Sequence, residues 1–289
     1  MKIDARLVRS LLRSQFPHLS ELECYEVGEG FDNSLWRLGD DLVVRLPRRE
    51  AAVTLARNEL RWLHEVARNV TLATPLPLMA GVSSDDYPWP WSIVSWIDGV
   101  PGDEIDLDTN DGAASGLATF LREIHVDAPP DAPLNPYRGV ALSARSAALG
   151  ERLTQIRDHV AGGALLELWE HCLTAPPWAA PPRWLHGDFH PANTLYRDDE
   201  LVGIIDFGDL CAGDPATDLA GGLMSLPYRA LDEFFAAYGS IDDATLQRTI
   251  GWAVLFGVFM VSIGLDDRAN YLGVGDRTLA NATRLARRL

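Results

Sequence analysis

Between residues 184 and 218 the chain reads WLHGDFHPANTLYRDDELVGIIDFGDLCAGDPATD, which sets Asp188, Asn193 and Asp206 in the order that phosphoryl transfer to an alcohol requires. Such a transfer asks the protein for little covalent chemistry. A hydroxyl must be oriented and phosphate charge neutralised. Asp188, in His186-Gly187-Asp188, can accept or orient the proton of the attacking hydroxyl. Asn193 follows on the same loop, and Asp206 ends the apolar run 201–205; both offer the hard oxygens that suit Mg²⁺, and the two are the expected metal pair. Taken singly, an Asx after Gly or before Pro is a turn former. The functional reading rests on the combination: an Asp/Asn loop, a short hairpin through Asp198-Asp199-Glu200, and Asp206-Phe207-Gly208 at a strand terminus.

These pieces, with the trailing Gly213-Asp214-Pro215-Ala216-Thr217-Asp218-Leu219-Ala220, resemble the aminoglycoside phosphotransferase and choline kinase-like family. The resemblance implies an α+β, two-lobed protein-kinase-like fold, with a small N-terminal β-sheet lobe carrying one main helix and a larger, mainly helical C-terminal lobe. It implies Asp188 as catalytic base, Asn193 and Asp206 on Mg²⁺, Asp218 as a brace for the catalytic loop, and His186 as a residue that shapes it. The expected lobes are residues 1–97, for the nucleotide, and 98–289, for catalysis and the acceptor. The expected reaction moves the γ-phosphoryl group of ATP or GTP to a hydroxyl of an antibiotic or related metabolite.

The N-terminal part departs from the protein-kinase pattern. Lys2 is the only lysine, which excludes a Walker-type loop and leaves a strand contact to phosphate to another cation. Arg45, in the β-rich run 41–47, is the candidate. Glu59, on a segment (51–69) whose apolar residues Leu55, Leu60, Leu63 and Val66 suit an amphipathic helix, is its expected partner. Arginine is a planar fork where lysine is a point charge, so the exchange changes the geometry of phosphate contact. Ahead of Arg45, residues 27–34 supply Gly28 and Gly30 for close backbone approach and Ser34 as a hydroxyl or amide donor to phosphate, without the full G-x-G-x-x-G. Residues 91–97 read as a buried strand, and the resemblance makes its end a hinge whose Ser95, Trp96 and Ile97 backbone would read the nucleotide base. Core packing is the expected role of most of the nearby tryptophans.

Two rival readings exist. His186, Asp188 and His190 form an H-x-D-x-H cluster that, with Asp206, could ligate Zn²⁺ for hydrolysis, but this leaves Asn193 and the Arg45/Glu59 arrangement unexplained. A non-catalytic binding protein of kinase shape would have no need of Asp188, Asn193 and Asp206 together.

Elsewhere, helical periodicity marks residues 111–125, 138–159, 164–173, 228–238 and 245–265. His64, His125, His159 and His171 fall on such segments and read as ordinary histidines. The longest apolar stretch, 250–265, carries three glycines, falls short of the roughly 18 residues of a membrane span, and is expected as a buried helix. No signal sequence is expected at the N-terminus. At 289 residues with 47% hydrophobic content, the chain is long enough for two lobes. Cys24, Cys172 and Cys211 are too few and scattered for a disulfide framework, which suits a reducing cytoplasm. A net charge of −16 argues against nucleic acid as partner. Acidic residues crowd 198–267, including Asp209, Asp214, Asp232, Glu233, Asp242, Asp243, Asp266 and Asp267; a cationic acceptor would be drawn there, with His190 and Asp209 as acceptor-facing candidates, although such a run is also an ordinary solvated face.

Overall fold

Alternation in Asn33–Leu38 buries Ser34, Trp36 and Leu38 on one side, the period-two pattern of a strand with one face on a core. In the computed structural model, which describes residues 2–266 and 268–289, this strand belongs to a five-stranded antiparallel sheet. Its strands are β1 (Cys24–Glu29), β2 (Asn33–Leu38), β3 (Leu42–Pro47), β4 (Pro77–Gly81) and β5 (Trp91–Ser95), in the order β1-β2-β3-β5-β4. Helix α1 (Ala5–Gln15), capped where Asp4 Oδ1 accepts from the Leu7 amide, buries Val8, Leu11 and Leu12 against Trp36, Leu38, Val44, Leu46, Trp91 and Ile93. Helix α2 (Ala51–Val66) carries Glu59, which meets Arg45 of β3. The sheet and both helices lie in one compact unit, Met1–Asp98 with Ile204–Leu210; the amide of Ile204 ties the second segment in by donating to Ala73 O at 3.0 Å.

The other unit, Gly99–Gly203 with Cys211–Leu289, is mainly helical. It contains β6 (Val100–Pro101), α3 (Ala113–Ile124), α4 (Ser146–Gln155), α5 (Gly162–Leu173), β7 (Arg183–Leu185), β8 (Thr194–Arg197), most of β9 (Glu200–Ile204), β10 (Cys211–Gly213), α6 (Ala216–Ser225), α7 (Leu231–Tyr238), α8 (Asp243–Asp266) and α9 (Ala269–Leu285). Strands β6, β8 and β9 form one small sheet, and β7 pairs antiparallel with β10. The β8–β9 turn is made by Asp198 and Asp199, both with positive φ (53° and 63°), as a two-residue hairpin turn of the primed type demands.

Helix α8, 24 residues long, is long and apolar enough by length and composition to cross a membrane, contrary to the shorter span expected. Two thirds of its apolar window is buried inside the fold (67%). Its glycines explain part of this: a Cβ on Gly264 would fall 2.4 Å from the Leu272 amide of α9, so the helix backbones meet where side chains are absent. Three of the described helices escaped the periodicity reading, α6 among them because it is buried all round and shows no polar face. The others are α1, which is short, and α9, whose apolar pattern is broken by Gly273 and Gly275. The helix expected over 138–159 is also shorter: residues 138–141 are loop, a short 3-10 turn follows (Leu142–Arg145), and α4 ends at Gln155.

That loop packs against β10 with no room to spare. Gly139 has φ +66°, its amide donates to Thr217 Oγ1 at 3.1 Å, and its carbonyl accepts from the Asp214 amide at 3.0 Å. A Cβ on Gly213 would lie 2.6 Å from Gly139 Cα and O. Gly213→Ala is therefore expected to cost about 1–3 kcal/mol by forced displacement of backbone. By contrast Gly150, inside α4 with nothing within 4 Å of its would-be Cβ, should tolerate Ala and gain roughly 0.5–1 kcal/mol. Urea unfolding of both variants checks the pair of signs.

Candidate active site

The loop after β7 is held from below by one carboxylate. Asp218, in the first turn of α6 and 1% exposed, accepts from the amides of His186 (Oδ2, 2.6 Å) and Gly187 (Oδ1, 2.9 Å). Burying an ionised carboxylate is costly unless its oxygens are satisfied, and two backbone donors plus the nearby helix N-terminus do that here. His125 completes the set, its Nε2 lying 3.2 Å from Asp218 Oδ2 and its Nδ1 2.8 Å from the Tyr238 hydroxyl. His125 is thus part of this cluster, contrary to its reading as a histidine away from any motif. Gly187 sits at φ +83°, a conformation that explains glycine between His186 and Asp188. His186 is fully buried and its Nδ1 accepts from the Asp188 amide at 3.3 Å.

Above this base Asp188 projects with its side chain 31% exposed. Its Oδ1 accepts from Arg138 Nη2 at 3.0 Å; its Oδ2 lies 3.4 Å from His190 Nε2 and 3.5 Å from Asn193 Nδ2. Burial acts to raise its pKa, but the electrostatic and hydrogen-bonding effect of His190, with Arg138 and His186, outweighs it and holds the carboxyl well below the usual carboxylate range. Asp188 is therefore an anion at neutral pH and a weak base, suited to orienting a hydroxyl. Asn193, in the short turn Pro191–Asn193 and 7% exposed, spends its side-chain nitrogen on the Asp188 carbonyl (2.9 Å). Its oxygen is thereby turned to the acceptor role that a hard cation needs. Arg138 is the residue that periodicity missed: it was read as a helix start, and its contacts to Gly187 and Asp188 link positions far apart in sequence.

The sheet unit carries a second cluster. Arg45 Nη1 donates to Glu59, and Arg45 Nη2 lies 3.5 Å from Asp206 Oδ1. Arg45 and Glu59 are 8% and 5% exposed, so each neutralises a charge that could not be buried alone. For Arg45, burial opposes the charge, while the Glu59 and Asp206 carboxylates overcome that penalty and hold its pKa above the ordinary value. Asp206 follows β9 at φ +63°, a costly conformation for a non-glycine residue of the kind that collects at functional sites. Its side chain is 53% exposed, leaving carboxylate oxygen open to a cation. Phe207 behind it is fully buried, and Asp209 closes the turn Phe207–Asp209 half-buried.

Several expected roles change. Ser34 is fully buried in β2, where its Oγ accepts from Trp36 Nε1 at 2.9 Å; strand alternation turns its hydroxyl into the core, so the hydroxyl is not the phosphate donor expected. Gly28 and Gly30 flank the end of β1, the amide of Gly30 closing the turn on Asn33 O at 2.8 Å. The Ser95 and Trp96 amides are taken by Leu76 O (3.3 Å) and Asp41 O (2.8 Å), so neither is free for the base contact expected of it. Part of the acidic run is engaged within the fold: Asp214 is 5% exposed and receives Arg248 Nε at 2.7 Å, Asp232 pairs with Arg288, and Asp242 accepts from the Thr245 amide at 2.7 Å. Asp267 lies outside the described residues. Nor does the H-x-D-x-H spacing gather three ligands, because the His186 ring is buried beneath the loop; among the described residues no group of three or more His, Cys, Asp or Glu is disposed to hold a metal ion. Burial pushes the Cys172 thiol up to about 12, and Cys211 is likewise buried.

A model of the phosphotransferase enzyme family matches residues 23–252. Among curated proteins the chain is similar to an aminoglycoside 3'-phosphotransferase of Escherichia coli, 26% identical over 116 residues, or 39% of this chain and 43% of that relative. The aligned stretch thus spans less than half of the relative's length. Among solved structures it is similar to aminoglycoside 2'-phosphotransferase-IIIa in its GDP complex (TM-score 0.72, 22% identity, covering 99% of this chain and 100% of that one). It is also similar to the macrolide 2'-phosphotransferase MphH of Brachybacterium faecium (TM-score 0.57, 22% identity, 91% of each chain). At these identities the structural likeness is one of fold, and it bears out the kinase-like fold class expected from the sequence. With its own residues 23–252 fitting the family model, this chain belongs to the phosphotransferase enzyme family.

Proposed function

We propose that the protein is a small-molecule kinase that transfers the γ-phosphoryl group of ATP or GTP to a hydroxyl of an antibiotic of aminoglycoside or macrolide type, or of a related metabolite. The observation that carries this reading is Asp188: a partly exposed, ionised carboxylate on a loop whose backbone is fastened to the buried Asp218. Phosphoryl transfer gains most from positioning and charge stabilisation, and a rigidly mounted carboxylate of low basicity supplies the first. Asp188 orients the acceptor hydroxyl; as its oxygen bonds to the γ-phosphorus, the bond from that phosphorus to the bridging oxygen breaks, the nucleoside diphosphate leaves, and the hydroxyl, made acidic by the new bond, gives its proton to Asp188. His190, beside it, and Asp209 are assigned to the acceptor side.

The nucleotide is assigned to the sheet unit. Arg45, anchored by Glu59, offers a guanidinium to phosphate, Gly28 and Gly30 allow close backbone approach, and Ile97 reads the base. The side-chain oxygens of Asn193 and Asp206 fit Mg²⁺ by chemistry: one is freed by the amide nitrogen's bond to Asp188 carbonyl, the other belongs to a half-exposed carboxylate. When bound, Mg²⁺ supplies neutralisation of phosphate charge. The GDP complex of the 2'-phosphotransferase supports a nucleotide substrate, and the names of the relatives support a hydroxylated small-molecule acceptor. A reducing cytoplasm suits the three free cysteines.

A nucleotide-consumption screen across hydroxylated antibiotics and metabolites, with Mg²⁺ and either nucleotide, tests the proposal; identification of the phosphorylated oxygen completes it. Asp188→Ala is expected to lower kcat by about 10³-fold with nucleotide binding retained, and normal turnover in that variant would refute the role. Asp206→Ala is expected instead to weaken metal-nucleotide binding, read by calorimetry. Asp218→Asn replaces an acceptor-only group by one whose NH₂ opposes a backbone donor; a loss of about 2–4 kcal/mol of stability is expected. Faster amide exchange at His186 and Gly187 would mark the site of that loss.

A further inference from the structure

We propose that Arg138 is a positioning residue for the transfer, one that fixes the carboxylate of Asp188 against rotation by gripping the loop backbone and the side chain at once. This rests on the kinase reading above. Arg138 Nε donates to Gly187 O at 2.6 Å and Arg138 Nη2 donates to Asp188 Oδ1 at 3.0 Å. A planar fork can span a carbonyl and the next residue's carboxylate in this way, whereas a lysine ammonium offers a single point of contact. The guanidinium carbon also stands 5.2 Å from the ring centroid of Phe256, so an α8 side chain lies against the fork.

The backbone at His186 and Gly187 already has Asp218 beneath it, so holding the loop in place needs no second device. What Arg138 adds is at the side chain. With Oδ1 engaged by Arg138, Oδ2 is the oxygen directed toward His190 and Asn193. Turning the carboxylate would break the Arg138 bond. The fork itself is held steady: Gly139 next to it is bonded to Thr217 and Asp214, and the Tyr137 amide donates to Asn135 Oδ1 at 2.8 Å. Arg138 thus comes from a loop fastened at both sides, as a group that must orient another needs to be.

Arg138→Met and Arg138→Lys, each checked for folding by thermal unfolding, are compared with the wild type in two ways. In steady-state kinetics Arg138→Met is expected to lose about 10²-fold in kcat, the scale of a mispositioned catalytic group. Its KM for nucleotide should stay within about twofold, since the lost interaction serves the transition state. Arg138→Lys should fall between, and added guanidinium should recover part of the methionine variant's turnover. In crystals of the variants the Asp188 carboxylate should be rotated from its wild-type orientation. A kcat within about twofold of wild type, a loss confined to KM, or an unchanged Asp188 orientation would overturn the proposal. If the wild type transfers phosphate to no acceptor, the kinase reading fails by itself, and the orientation of Asp188 in the Arg138→Lys and Arg138→Met crystals still decides the role of Arg138.

Discussion

The loop after β7 depends on a single buried carboxylate. Asp218 has almost no solvent contact and no basic side chain other than His125 beside it among the contacts described; its charge is balanced largely by backbone amides. A carboxylate so placed cannot move without leaving two peptide donors unpaired, so the loop at 186 and 187 inherits the rigidity of α6. Asp188, Asn193 and His190 are then placed by short local geometry: a left-handed glycine, one 3-10 turn, and an amide nitrogen bonded to a carbonyl.

The sheet unit solves a different problem with the same economy. Its strand cation must stay charged inside a core, and it does so because Glu59 from α2 and Asp206 from the end of β9 both face it. Arg45 contributes more contacts than a lysine would, since one guanidinium nitrogen reaches each carboxylate. The strained αL backbone of Asp206 is maintained beside a fully buried Phe207, so the packing of the neighbouring ring helps hold a conformation that an aspartate would otherwise avoid.

The sequence was most legible where function is written in short spacing. Residues 184–220 carry their turn, hairpin and strand end within reach of one another, and the structure gives each of them the local form the residue types suggested. Glu59 opposite Arg45 was legible as well, because helix periodicity fixes which side α2 turns to the sheet. What stayed hidden depended on long-range packing. Arg138 and His125 meet their partners only after the helical unit folds, and nothing near them in sequence signals it. The Ser34 hydroxyl was misread because its face depends on strand register, and a hydroxyl in a glycine-rich turn looks open until the Trp36 indole is found beside it. Asp214 was counted as surface charge because its partner Arg248 lies on a helix far along the chain.

Arginine at position 45 also decides which reagents can recognise this protein. Acylation needs a neutral amine, and a guanidinium whose pKa is held above its ordinary value by two carboxylates is not a nucleophile at neutral pH. The one ammonium side chain, on Lys2, lies outside the sheet. Amine-directed reagents would find no target on the strand of Arg45, whereas reagents selective for guanidinium groups would meet one that is buried and clasped by carboxylates.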